Sequence, residues 1–85
     1  MAVTVEALSA RLQQAFVGDK VDVTGDGYHF QVTIVSSRFT GLRAVQKQQH
    51  VYAAVQDWIA SGELHALSMR TFTPEEWSTN GNNAG

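Results

Sequence analysis

The stretch that most restricts the fold of this chain is GELHALSMRTFTPEEW, residues 62–77, in which a strand pattern runs directly into a helix start. Leu67 and Met69 alternate with small or polar residues, which is the period of a strand buried on one face. Counting back by two places His65 on the same face, where the strand begins. The pattern therefore predicts a histidine at the rim of a core.

A helix start follows this strand. Thr73 is a favourable N-cap, Pro74 suits the first helical position, and Glu76 stands where it can complete a capping box. The helix is predicted to be short, with Trp77 as its apolar anchor. The polar, glycine-containing residues that follow predict a disordered tail over residues 79–85, which leaves residues 1–78 as a single domain.

Helical periodicity marks two longer helices. The first is predicted over about residues 4–17, with Thr4 as its cap and Gly18 as its end. The second is predicted as one continuous central helix from about Ala44 to Ser61. Its apolar stripe includes Val51, Tyr52, Val55, Trp58 and Ile59.

Alternating residues between these helices predict a β-hairpin. Residues 20–24 and 30–35 have strand periodicity on either side of the turn Gly25-Asp26-Gly27. Because a helix links the hairpin to the strand of His65, a right-handed crossover would lay the second hairpin strand parallel to it. We therefore predict an α+β domain of order α-β-β-α-β-α, with a three-stranded mixed sheet and helices on one face.

Composition narrows the possible functions. The chain has 85 residues, enough for one hydrophobic core, and a net charge of −2, so no overall positive field attracts it to nucleic acid or anionic membranes. It contains no cysteine, which excludes disulfides and thiolate ligands from this chain and fits a reducing compartment. No stretch approaches the ~18 apolar residues of a membrane span, and the first residues lack the pattern of a secretory signal. We expect a cytoplasmic protein that does not bind membranes.

The sequence also lacks catalytic patterns. It has no G-x-S-x-G or H-E-x-x-H spacing, and its Gly-Asp-Gly is a turn signal rather than a phosphate-binding loop before a helix. We therefore predict that the chain is not an enzyme.

Three histidines, His29, His50 and His65, are the candidate metal ligands. His65 has two interpretations: a rim side chain hydrogen-bonded to backbone, which is the commoner situation, or a metal ligand. His29 is predicted at the end of the hairpin turn, facing away from the core, and its distance from His65 depends on the strand pairing. His50 shares a helical face with Arg43 and Lys47, which indicates a solvated basic stripe.

The segments GDGYHFQVTIVSSRFTGLRAVQKQQHVYAAV and ELHALSMRTFTPEEW resemble the BolA-like family, most closely its short bacterial branch. The shared features are the His-Phe of the hairpin, an S-x-x-F-x-G connection, the Val-Tyr of the central helix, the His-Ala-Leu strand and the T-P-x-x-W ending. They span about residues 5–77. The resemblance implies an α-β-β-α-α-β-α fold related to class II KH domains, with an extra helical turn before the central helix.

The resemblance further implies a shared metal cluster. BolA-like proteins pair with CGFS-type monothiol glutaredoxins and share a 2Fe-2S cluster, to which the glutaredoxin gives a cysteine and bound glutathione. The BolA side gives the histidine of the His-Ala-Leu strand, which is His65 here. This implies a role in iron-sulfur trafficking or iron and stress regulation. We expect the free chain to be a monomer that carries no cluster.

The second BolA-side ligand in the family is a cysteine or histidine of the hairpin loop. Here the loop reads Gly25-Asp26-Gly27, so His29 or Asp26 is left as the candidate, and His29 is the better donor.

DNA binding is the alternative function, because it has been associated with BolA itself. Arg38, Arg43 and Lys47 could then contact phosphates. The G-x-x-G loop typical of KH domains is absent, and Lys47-Gln48-Gln49 stands where many relatives carry Arg-His-Arg.

Overall fold

The computed structural model describes residues 3–81, with side chains as far as residue 79. The elements follow in the order α1 (Val5–Ala15), β1 (Lys20–Gly25), β2 (His29–Val35), a 3-10 turn (Ser37–Phe39), α2 (Ala44–Ala54), α3 (Gln56–Ser61), β3 (Ala66–Phe72), α4 (Pro74–Glu76) and a π-helical turn (Trp77–Gly81). This order confirms the predicted α+β domain. Most of the predicted tail, residues 79–85, lies outside the described residues, so the tail stays a prediction.

The three strands form one mixed sheet with β2 in the centre. β1 pairs with β2 antiparallel, and β2 pairs with β3 parallel, which confirms both predicted pairings. His29 opens β2 and is in register with Ala66, the first residue of β3. Because parallel strands start at the same end of a sheet, His29 and the residue before β3, His65, lie at one end.

Alternate side chains of β2 face α1 and α2 and form the centre of the core. The buried cluster consists of Val3, Leu8, Leu12, Phe16, Phe30, Val32, Ile34, Phe39, Val51, Val55 and Leu64. Phe39 accounts for the extra helical turn after β2, since the 3-10 turn carries its ring into the core, 5.8 Å from the ring of Phe16. The implied additional helical turn is therefore confirmed, and its purpose is to bury an aromatic ring.

The central helix is not continuous, and the single-helix prediction is wrong at Val55. This residue has φ −126° and ψ 20°, and the N–H of Trp58 donates to the Val55 carbonyl at 3.0 Å instead of to the carbonyl of Ala54. Val55 is fully buried, and Val51 of α2 and Trp58 of α3 pack in or against the core on either side of it, so both helices keep contact with the core across the break. The apolar stripe runs across the break, and periodicity alone therefore could not reveal it.

Arg11 of α1 occupies the break. Its guanidinium donates to the freed Ala54 carbonyl at 3.2 Å and to Asp57 at 2.8 Å, and it lies 3.9 Å from the centre of the Trp58 ring. The hydrogen bond from Arg11 holds the pKa of Asp57 below its ordinary value. One charged side chain thus satisfies the interrupted backbone and joins α1 to both halves of the central helix.

The predicted capping box of α4 is confirmed. The N–H of Glu76 donates to the Thr73 hydroxyl at 3.1 Å, and the N–H of Thr73 donates to the Glu76 carboxylate at 2.8 Å. The Trp77 ring then lies 5.4 Å from that of Phe72. Since Phe72 alternates with the core-facing residues of β3, Trp77 covers one end of the sheet's other face, while α1 and α2 lie on the core side.

No helix within residues 3–81 combines the length and apolar character that crossing a membrane requires.

Replacing Arg11 by alanine is expected to lower the free energy of unfolding by about 1–2 kcal/mol, because the charged hydrogen bond to Ala54 and the stacking on Trp58 are both lost. The free energy of unfolding of Arg11→Lys should lie between those of Arg11→Ala and the wild type, since an ammonium cannot bridge a carbonyl and a carboxylate while stacking on an indole. Urea denaturation measures both changes. An Arg11→Ala variant as stable as the wild type would show that the break needs no partner.

Acid should destabilise the protein partly through Glu76. The N–H of Thr73, and then Lys47 at 3.4 Å, hold the pKa of Glu76 below its ordinary value. Because the folded state favours the carboxylate, this stability is present above the ordinary glutamate pKa and is lost as the pH falls below roughly 5. Thr73→Ala should cost about 1 kcal/mol at neutral pH.

Urea unfolding at a series of pH values tests this contribution. Glu76→Gln should reduce the loss of stability on acidification. The matched control is Glu75→Gln, because the Glu75 carboxylate accepts no hydrogen bond within the described part of the chain. Equal acid dependence in the two variants would count against the capping box as an acid-sensitive element.

Candidate metal-ligand site

The position of His65 follows from how α3 ends. Gly62 takes a left-handed conformation with φ 82°, which reverses the chain direction. Leu64 is only 3% exposed, and its N–H donates to the Trp58 carbonyl at 3.1 Å. Because Leu64 is held in the core, the side chain of His65 emerges at the surface, one residue before β3 begins.

The imidazole of His65 is exposed and has no hydrogen-bond partner in the described part of the chain. The structure thus differs from the first interpretation, in which a rim histidine is satisfied by backbone. His65 instead forms part of the wall of an open groove of about 570 Å³ between α2–α3 and β3. Its other walls include Tyr52, Gln56, Ile59, Leu64 and Leu67. Both ring nitrogens are therefore available to a partner.

His29 lies at the same end of the sheet but on the other face. Its side chain is 80% exposed. It borders a shallow depression of about 360 Å³ whose lining includes Thr24, Gln31 and Ser68. Thr24, Gln31 and Ser68 are in register across the three strands and alternate with the core residues. The strand pairing therefore brings His29 and His65 to one sheet end, with one side chain on each face.

The backbone of the hairpin turn favours glycine at two positions of this loop. A Cβ atom at Gly25 would lie 2.6 Å from the His29 carbonyl oxygen, so any side chain there would force the turn to move. Gly27 has a φ of 96° at the first central position of the turn, which glycine alone adopts readily. Two of the three loop positions are thus reserved for glycine by the backbone.

Asp26 holds the turn together. One oxygen of its carboxylate accepts hydrogen bonds from the backbone N–H groups of Tyr28 and His29, both at 2.9 Å. These donors, the one at His29 first, hold the pKa of Asp26 below its ordinary value. The other oxygen lies 3.9 Å from Nδ1 of His29. Asp26 therefore has a structural task, whereas the His29 ring has no hydrogen bond within the described residues.

The three predicted phosphate contacts have different surroundings. Arg38 donates to the Ala15 carbonyl at 2.7 Å and caps the end of α1. Lys47 pairs with Glu76 at 3.4 Å, and its side chain is only 14% exposed. Arg43 is exposed, and its side chain forms no hydrogen bond or ion pair among residues 3–79. Two of the three cations are thus engaged within the domain.

The sequence pattern missed the groove beside His65. Tyr52 and Ile59 belong to the apolar stripe predicted for the central helix, yet they are 40% and 39% exposed. Tyr52 precedes the break at Val55 and Ile59 follows it, and both side chains line the groove. An exposed tyrosine and isoleucine next to an unbonded histidine could be found only from the folded chain.

Comparison with known proteins places the chain in a family. The model of the BolA-like protein family matches residues 2–76. The acid stress protein IbaG of Escherichia coli (strain K12) is 43% identical over 67 residues, which cover 79% of this chain and 80% of that protein.

Solved structures of BolA-like proteins have the same fold as this chain. A BolA protein homologue from Coxiella burnetii has a TM-score of 0.77 and 30% identity over 89% of this chain and 97% of that one. Yeast Fra2 has a TM-score of 0.74 and 32% identity over 94% of this chain and 89% of its own. Sequence, fold and motif order therefore agree that this chain is a member of the BolA-like protein family.

Proposed function

We propose that this chain is a non-enzymatic partner of a CGFS-type monothiol glutaredoxin and co-ligates a bridging 2Fe-2S cluster through His65, with His29 as the second ligand. The observation that carries the proposal is the state of His65: an exposed imidazole without an intramolecular hydrogen bond, presented at the sheet end where His29 also lies. Such a side chain can bind metal without first breaking a structural contact.

The donor set suits a shared cluster rather than one that this chain holds alone. The chain has no cysteine, and residues 3–79 contain no group of three or more histidine, aspartate or glutamate side chains placed to hold a metal ion. Iron-sulfur clusters are held mainly by thiolates. The thiolates would therefore come from the glutaredoxin cysteine and glutathione, and this chain would add imidazole nitrogen.

Imidazole ligands give such a cluster particular properties. Replacing thiolate by neutral histidine on one iron raises the reduction potential. An imidazole must also lose its proton before it can bind metal, so ligation competes with acid. These two properties suit a cluster that is transferred to another protein or that senses pH or redox conditions. The relative E. coli IbaG is by its name an acid stress protein, for which an acid-sensitive cluster would be useful.

DNA binding has less support. Arg38 caps α1 and Lys47 pairs with Glu76, so contact with phosphate would compete with bonds that stabilise the fold. The net charge of −2 adds no long-range attraction.

His65→Ala is expected to abolish the spectrum of the mixed cluster. A monothiol glutaredoxin would be reconstituted anaerobically with iron and sulfide in the presence of each variant, and followed by visible absorption and circular dichroism. His29→Ala should alter the spectrum without preventing complex formation, since His65 still binds. Both side chains are exposed, so the free energy of unfolding should change by less than about 0.5 kcal/mol.

His50→Ala is the matched control, because His50 is an exposed histidine on α2 that lines neither the groove nor the hairpin depression. It should give the wild-type spectrum. If His65→Ala also gives that spectrum, the ligand assignment is wrong.

A further inference from the structure

We infer that the groove beside His65 is the surface on which the cluster-carrying glutaredoxin docks, with Tyr52 and Ile59 as its apolar anchors. This inference rests on the proposed function and goes beyond it, since it assigns protein–protein contact to residues that bind no metal. The groove has a volume of about 570 Å³, and Tyr52 and Ile59 remain 40% and 39% exposed beside it.

Proximity to His65 identifies the occupant. A protein that holds the cluster by its own thiolate must approach His65 within the few ångströms of metal–ligand bonds. Tyr52, Ile59 and Leu67 line the same groove as His65, so they must contact whatever surface surrounds that thiolate. The groove is continuous with the proposed ligand site.

The charge of the groove favours a protein surface over nucleic acid. Among the described residues that line it, none carries a permanent charge, and its polar side chains other than His65 and Tyr52 are the amides of Gln49 and Gln56. A phosphate backbone would find no cation there. An apolar patch with a few amide hydrogen bonds matches the centre of a protein interface.

The size of the groove argues against a second copy of this chain as a stable occupant. Eight residues line it, whereas stable interfaces use roughly 20–30 residues on each side. Docking through this groove alone would be weak. A glutaredoxin that also shares the cluster gains metal–ligand bonds to this chain, so a small docking surface is sufficient for it.

The break at Val55 lies within this surface. Tyr52 and Ala53 line the groove before the break, and Gln56 and Ile59 line it after the break. Arg11 contacts Ala54 and Trp58 at the break without lining the groove. The proposed docking surface therefore spans the helix interruption.

The test measures binding of an apo CGFS-type glutaredoxin, free of cluster, to the full chain by NMR titration. Ile59→Lys should weaken binding about tenfold or more, because an ammonium group would enter an apolar contact. Tyr52→Ala is a second variant that keeps a good helix former in α2 and should weaken binding several-fold. Val45→Lys is the matched control, because Val45 is 56% exposed on α2 outside the groove, and it should bind like the wild type.

Each variant is first shown to unfold like the wild type in urea. Suppose that the wild type forms the mixed cluster. If Ile59→Lys and Tyr52→Ala then bind the apo glutaredoxin as well as Val45→Lys does, the groove inference is wrong and the proposed function stands. The same conclusion follows if the wild type has no affinity for the apo glutaredoxin. If the wild type neither binds nor forms the mixed cluster, the proposed function fails and the inference with it. If sedimentation shows that the groove variants abolish self-association of the chain, the occupant is a second copy and the inference is again wrong.

Discussion

The guanidinium of Arg11 at the interrupted central helix is the contact on which the position of the candidate site depends. It satisfies the Ala54 carbonyl and stacks on Trp58. The Trp58 carbonyl in turn accepts from the N–H of Leu64, which fixes Leu64 in the core and His65 outside it. A short chain of contacts thus links α1 to the position of the imidazole.

The two histidines show how a small sheet can present candidate metal ligands. Parallel pairing of β2 with β3 brings His29 and His65 to one sheet end, and the alternation of side chains sends them to opposite faces. Each ring is exposed and forms no hydrogen bond in the described part of the chain, although Nδ1 of His29 lies 3.9 Å from the Asp26 carboxylate. The neighbouring Asp26 is committed, since its carboxylate organises the turn. The polar group that stabilises the turn is therefore different from the candidate metal-binding groups. The structural carboxylate is bonded to backbone N–H groups, which leaves the imidazoles available.

Most of the fold could be read from local signals. The capping box at Thr73 and Glu76, the glycine-rich turn at residues 25–27 and the parallel crossover all follow from rules that act over a few residues or through one connection. The break at Val55 could not be read in this way, because its stabilising partner, Arg11, is remote in sequence. The candidate site was predictable only in part. The family motif points to His65 as a candidate ligand, whereas the sequence shows Tyr52 and Ile59 only as part of the apolar stripe of the central helix.

Motif spacing and side-chain chemistry are enough to identify the family, the order of the elements apart from the break at Val55, and the residue types that can act as ligands. Which polar groups are free depends on the folded chain. In the sequence, Arg38, Arg43 and Lys47 are equivalent candidate cations. In the structure, Arg38 donates to the Ala15 carbonyl and Lys47 pairs with Glu76. The stretch of residues 62–77 shows the same division: its alternation placed His65 at a strand start, but packing of Leu64 against distant elements turned the imidazole outward. Exposure is a property of the whole chain, because it depends on what distant residues cover.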